Sequence, residues 1–321
     1  MKRFRWLGLL AGVALFAWVL RSADLPVVWE QLRNLGGRFG LILLFYIVIF
    51  GLDTLGWRFA LPPAAQRRVG WAGLFRTRLA GEAINYVTPT AWVGGEPVKA
   101  YLLSRRYGIP LGDGMTSVVI AKTTFSISMF FFILLGVLAT LAGRTSPAAA
   151  PLFRWVWVVL PALGLLLALF LIVQFLRPFQ KGHSFLARIM PGWLRHLESK
   201  VQEWDETLAR FYRRSPKTVF LSFGFHFLGW IAGVFEVFLI LRFVGEPVSL
   251  LTAWSIESLW ILLKTGAFLI PASLGASEGI SLLVCTGLGL SSASGLALAL
   301  VRRARELSWV GLGLAEFSRR S

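Results

Sequence analysis

Hydrophobic residues run in long blocks along this chain, separated by short polar and basic stretches. Blocks near 4–20, 39–61, 114–142, 153–176, 217–243, 249–269 and 293–317 approach or exceed the ~20 apolar residues that a helix needs to cross a bilayer. Alternating ten-residue strands are absent, which argues against a β-barrel. Two further hydrophobic stretches are broken in the middle. Residues 80–104 are interrupted at Pro89 and at Gly94–Gly95, leaving arms of about ten residues that are too short to cross alone. Residues 271–290 are interrupted at Pro271 and Gly275. Each stretch reads as a re-entrant hairpin. The pattern predicts an all-α polytopic membrane protein of about seven or eight transmembrane helices plus two re-entrant hairpins.

The broken stretches belong to a repeat. Pro89, Gly95–Glu96, Gly108, Gly114 and Lys122 recur as Pro271, Ser277–Glu278, Gly289, Gly295 and Arg303, at an offset of 182 up to the glutamate and 181 after it. Each copy sets a Pro/Gly-broken segment and an acid ahead of a helix with a cation inside it. Paired interrupted segments in two halves of a membrane protein point to a binding site near the bilayer midplane. Broken backbone at that depth persists only where protein covers it or where it lines a wet cavity. The expected organisation is a first membrane half at 1–177, a polar segment at 178–216 and a second half at 217–321.

Composition agrees with a membrane protein: 56% of residues are hydrophobic, 15% are charged and the mean hydropathy is +0.68. The net charge of +17 sits in basic stretches between the apolar blocks, as expected for cytoplasmic loops near anionic headgroups rather than for nucleic-acid binding. Lys2, Arg3 and Arg5 precede the first block, which reads as an uncleaved span because Arg21–Ser22–Ala23–Asp24 makes a poor cleavage site. With Arg67, Arg68, Arg76, Arg78, Arg105 and Arg106 they place the N-terminus in the cytoplasm. Within 178–216, Leu186, Met190, Trp193, Leu197, Val201, Trp204, Leu208 and Phe211 recur every three or four residues. Such a stripe either lies on the cytoplasmic leaflet or packs on the protein's own loops. The single cysteine, Cys285, excludes an intramolecular disulfide, and His183, His196 and His226 lack metal-ligand spacing. No metal or cofactor is expected. No phosphate-binding loop accompanies an ATPase reading.

Charges inside apolar spans carry the functional expectation, because each costs about 2.5–3.5 kcal/mol at mid-helix and such residues face a bundle interior or a cavity. Lys122 and Arg303 are the repeated cations and candidates for holding a phosphate. Arg302 and Arg305 share a helix face with Glu306, while Arg303 points elsewhere. Internal pairing, such as Arg302 with Glu306, is the structural alternative. Glu96 and Glu278 begin half-helices, where the helix dipole favours a carboxylate. They are candidates for orienting the cations, meeting an amine or moving protons, and Lys99 lies within reach of Glu96. Glu82 and Asn85 share a face of the first hairpin, and Lys264 stands at the position equivalent to Glu82. Glu257, Asp53 and Glu236 extend this set of intramembrane charges.

The stretch Gly94–Gly95–Glu96–Pro97–Val98–Lys99–Ala100–Tyr101, followed by Gly108 and Lys122, resembles the first signature of the lysylphosphatidylglycerol synthase transmembrane, or flippase-like, family. Pro271, Gly275, Glu278 and Arg303 resemble its second, although Ala272–Ser273–Leu274 and Ala276–Ser277 stand where glycines are commoner. The resemblance spans nearly the whole chain. It implies a helical bundle with re-entrant segments that moves lipids between leaflets. In multidomain members this module carries aminoacylated phosphatidylglycerol made by a cytosolic transferase. The short 178–216 segment is too small for such a domain. The resulting expectation is a flippase or scramblase-like transporter of the bacterial inner membrane. Its partners would be membrane lipids and a lipid-synthesis enzyme. The rivals are an intramembrane enzyme acting on a lipid-linked substrate and an accessory subunit of a synthesis complex.

Overall fold

The computed structural model describes residues 25–88, 94–142, 150–175, 202, 204–206, 208–209, 212, 216–266 and 275–318. Among them regular structure is entirely helical. The helices are α1 (Leu25–Leu35), α2 (Phe39–Ala60), α3 (Pro63–Arg68), α4 (Trp71–Val87), α5 (Gly95–Tyr107), α6 (Leu111–Ala142), α7 (Ala150–Phe175), α8 (Pro216–Phe243), α9 (Leu250–Gly266), α10 (Ala276–Gly287) and α11 (Ser292–Ser318). The first block, 4–20, lies outside the described residues, as do Pro89 and Pro271.

Among the described residues four stretches are long and apolar enough to cross a membrane: Leu25–Ala60, Leu111–Leu141, Val156–Val173 and Pro216–Phe243. Two expected spans differ. The described part of α9 is 17 residues, and the middle of α11 carries Arg302, Arg303, Arg305 and Glu306. Like the short α3, α1 had no counterpart in the sequence reading. It docks on α11 through Val28 against Ala293 and Leu296, and Gln31 donates to Ser294 Oγ at 2.9 Å.

Local chemistry sets the helix ends. Ser249 and Ser291 accept the backbone N–H of Thr252 and Ser294, each at 3.0 Å, and so cap α9 and α11. Gly108 ends α5 in the left-handed region, with its N–H on Ser104 and that of Ile109 on Leu103.

The repeat extends beyond its motif. Adding 182 to α2 and α4 gives 221–242 and 253–269, which overlie α8 and α9; α5 and α6 correspond likewise to α10 and α11. Equivalent helices α2 and α8 pack on each other in opposite directions: Phe59 stacks on Phe225, Gly56 abuts His226 and Asp53 abuts Gly229. Antiparallel packing of equivalent helices makes this an inverted repeat, the arrangement of many secondary transporters.

The hairpins begin earlier than expected, at Trp71 rather than residue 80 and at Leu250 rather than residue 271. They are α4–α5 and α9–α10, so the expected span 249–269 is the first arm of the second hairpin, and both cross between the halves. In each, the second arm packs on its own half, α5 on α6 and α10 on α11. The first arm packs on the other half, α4 on α11 and α9 on α6. Gly313 lies against Leu79 and Ala83, and Thr140 donates to Ser255 at 2.7 Å. The largest apolar core joins α6, α8, α9, α10 and α11. A second core, around Trp57, Leu61, Leu103 and Ile120, includes Leu208 from the polar segment. Leu208 is buried, as is Asp205, and Trp204 lies against Gly112. One face of 202–212, with Trp204, Asp205 and Leu208, therefore packs on the protein itself, while Gln202, Glu206 and Ala209 are exposed.

Candidate functional site

The first hairpin closes tightly. A methyl group on Gly95 would run into the carbonyl oxygen of Gly81, so only glycine permits this approach of α5 to α4. The Gly95 N–H donates to Asn85 Oδ1 at 2.6 Å. Gly94 has ordinary helical dihedrals. Asn85 also donates to Glu82 and Glu96, both at 3.2 Å, and so fixes the two carboxylates.

Around this turn runs a chain of ion pairs. Lys99 Nζ lies 2.6 Å from Glu82 and 3.0 Å from Glu96. Lys122 Nζ, on α6, lies 3.6 Å from Glu96. Arg78 reaches Asp53 at 3.0 Å and Glu82 at 3.9 Å. Asp53 also accepts from His226 Nδ1 at 3.1 Å. Three cations (Arg78, Lys99, Lys122) thus stand against three carboxylates (Asp53, Glu82, Glu96). Lys99 is buried, whereas 37% of the Lys122 side chain is exposed.

The second hairpin builds a cluster of the same kind. Gly275 starts α10 from φ 74°, a backbone that side chains rarely adopt. Glu278, in the first turn, accepts from Arg303 Nε at 2.9 Å and Nη2 at 2.8 Å. Arg303 also donates to Ser277 Oγ at 3.1 Å and to Tyr86 Oη at 2.7 Å, and lies 3.6 Å from Glu306. Tyr86 belongs to the first hairpin, so this contact joins the halves. On the other face of α11, Arg302 pairs with Glu257 and Arg305 with Glu236 at 3.1 Å. Lys264 Nζ sits 4.2 Å from the Trp260 ring centroid, facing Glu306. Four cations here (Lys264, Arg302, Arg303, Arg305) again match four carboxylates (Glu236, Glu257, Glu278, Glu306).

The sequence-based pairings thus divide. Glu96 with Lys122 and Glu278 with Arg303 are joined in both copies. Arg302 pairs with Glu257 rather than with Glu306, which lies between Arg303 and Arg305. Arg78, counted above among loop charges, is instead a member of the first chain of ion pairs. Tyr86, Trp260, Ser281, Arg78 and His226 were missed as site residues. For Arg78 a signal existed in its spacing of four from Glu82.

A small, partly open hollow of about 10 Å³, room for about one water molecule, adjoins the second cluster, lined by Trp260, Ser277, Ser281, Ala299, Arg302, Arg303 and Glu306. Arg302 is buried, and its Nε and Nη1 have no hydrogen-bond partner among the described residues; the same holds for Glu278 Oε2. The two guanidinium groups and two hydroxyls are donors to an oxyanion, but the Glu306 carboxylate shares the lining, and in this conformation the hollow is too small to admit a phosphate. Among the described residues no group of three or more His, Cys, Asp or Glu is arranged to hold a metal ion.

Comparison with known proteins places the chain among membrane proteins. The family model described as "Lysylphosphatidylglycerol synthase TM region" matches residues 5–315. The chain belongs to the lysylphosphatidylglycerol synthase transmembrane-region family. A relative within reach of alignment is a UPF0104 membrane protein of Methanothermobacter thermautotrophicus, 28% identical over 272 residues, which are 80% of this chain and 77% of the relative. No solved structure matches. The paired clusters described above lie within the matched region, so they belong to this chain's version of the lysylphosphatidylglycerol synthase membrane module.

Proposed function

We propose that the protein moves lipids between the leaflets of its membrane, as a flippase or scramblase-like transporter, and that it does so without covalent chemistry. The observation that carries this reading is the inverted pair of hairpins, each lodged in the opposite half and each tied through its own glutamate to a cation in the following helix. Inverted repeats of this kind let two halves exchange conformations about a central site. The headgroup's phosphate would meet Lys122, the exposed cation at the first hairpin, and Arg303 once the hollow beside Trp260 widens, with the acyl chains left in the bilayer. Membership in a family named for lysylphosphatidylglycerol supports a lipid cargo. The basic N-terminal residues support a cytoplasmic N-terminus.

The test is translocation of fluorescent phosphatidylglycerol and phosphatidylethanolamine in proteoliposomes, read by quenching from outside, with mass spectrometry of the recovered lipid. Faster exchange than in protein-free vesicles, with lipid recovered intact, is expected. Chemically altered lipid would favour an intramembrane enzyme. Exchange no faster than in empty vesicles would overturn the transport reading.

A further inference from the structure

His226 is used by neither hairpin, yet it occupies a special place. It lies on α8 at the seam between the inverted halves, is 3% exposed, and packs on Gly56 of α2 so closely that a methyl group there would sit 2.7 Å from Nε2. Its Nδ1 faces a carboxylate, Asp53 Oδ1, which can only accept. The hydrogen therefore sits on Nδ1, and Nε2 carries the free lone pair. That atom is buried and has no hydrogen-bond partner among the described residues. It is a vacant proton acceptor.

Its surroundings decide what a proton there would do. From α2 it faces Asp53, from α4 Arg78 behind Asp53, and from α5 the more distant Lys99. From α6 it meets the edge of the Phe125 ring, over which Lys122 Nζ lies at 5.8 Å. The charges near the rest of its own helix, Glu236 on α8 and Glu257 on α9 beside Gly233, are turned to the second cluster. Asp53 is thus the first link of the chain His226–Asp53–Arg78–Glu82–Lys99–Glu96–Lys122, each step 3.9 Å or less.

That chain is balanced while His226 is neutral. A proton added at Nε2 gives it one excess positive charge in a poorly polarisable setting. Asp53 then shares itself between imidazolium and Arg78. Arg78 turns toward Glu82, Lys99 toward Glu96, and the last cation loses its partner. Lys122 is that cation: it has the longest contact to Glu96, 3.6 Å, and the most exposed cationic side chain of the chain. The second half has no equivalent, because Leu44 and Phe235 stand where His226 and Asp53 map.

We propose that the His226–Asp53 pair is a proton-binding site, and that proton uptake there frees Lys122 to bind a phosphate anion at the far end of the same chain of ion pairs. Linkage makes the effect reciprocal: a phosphate group bound at Lys122 raises the proton affinity of His226 by the same factor. The shared chemistry is a phosphate oxyanion, from a lipid headgroup or free in solution. Only the lipid source rests on the function proposed above.

The experiment is NMR titration of isotope-labelled histidine in the full chain in phosphatidylcholine nanodiscs, with His226→Gln used to identify the signal. Three arms are compared: no addition, inorganic phosphate, and dihexanoylphosphatidylglycerol. Expected is a resolvable His226 titration, with proton affinity raised at least ~5-fold by an added phosphate compound and unchanged in Lys122→Ala. A shift with inorganic phosphate supports the link and assigns recognition to the phosphate itself. A shift with the lipid alone supports it and adds the lipid body to the site. Absence of titration, or a midpoint that neither compound moves, overturns it. Since the measurement needs no transport, a protein that translocates lipid with an unmoved midpoint would refute the proton link and leave the proposed function intact.

Discussion

Arg303 grips Glu278 through two guanidinium nitrogens, at 2.9 and 2.8 Å, across the contact between α10 and α11. The Glu278 side chain is 1% exposed. Removing one member of a buried pair strands the other, and such losses reach about 3–5 kcal/mol. Arg303→Ala and Glu278→Ala are each expected to destabilise the detergent-solubilised protein by that order, and the double variant by less than their sum. Thermal unfolding of the four proteins forms the cycle. Strict additivity would mean that the pair does not hold the second hairpin.

The first hairpin depends on backbone contact as well as charge. With no room for a side chain between Gly95 and Gly81, Gly95→Ala must push α5 away from α4 and break the Gly95–Asn85 hydrogen bond. A lowered melting temperature and faster hydrogen exchange of the amides around Gly95 are expected. Unchanged values in both measurements would contradict the close approach.

Inversion makes a geometric claim that labelling can check. Pro110 and Ser291 are equivalent at the offset of 181, and both are exposed at the foot of their hairpins. In an inverted repeat they face opposite sides of the membrane. With Cys285 replaced by alanine, cysteines at 110 and 291 should react with an impermeant maleimide from opposite sides of sealed vesicles. Reaction of both from one side would show a parallel repeat instead.

The polar segment offers a packing test. Leu208 is 1% exposed inside the core formed with Trp57, Leu103 and Ile120. Leu208→Ala is expected to cost about 2–5 kcal/mol in chemical or thermal unfolding. A neutral result would mean that this face rests on lipid.

Much of the fold was readable in the sequence because the repeat kept its chemistry. Glycine at tight turns, a glutamate opening each half-helix and a cation in the next helix are all set by local needs, and both acid–cation pairs formed. What sequence did not reveal depends on contacts between distant segments. Asp53 and His226 are 173 residues apart and occupy non-equivalent positions, so no periodicity links them. Arg302 chose Glu257 on a neighbouring helix over Glu306 four residues away, because α9 brings a buried carboxylate to its face. The α1 helix, too short to cross, becomes legible only once α11 supplies the surface it covers.

The central claim is that the two repeated cations serve lipid movement. Its most direct test is the rate of phosphatidylglycerol translocation in proteoliposomes containing Lys122→Ala/Arg303→Ala, compared with wild type at matched amounts of folded protein. The account predicts at least a tenfold slower rate, equivalent to about 1.4 kcal/mol in the barrier. A folded double variant that moves the lipid as fast as wild type would contradict it.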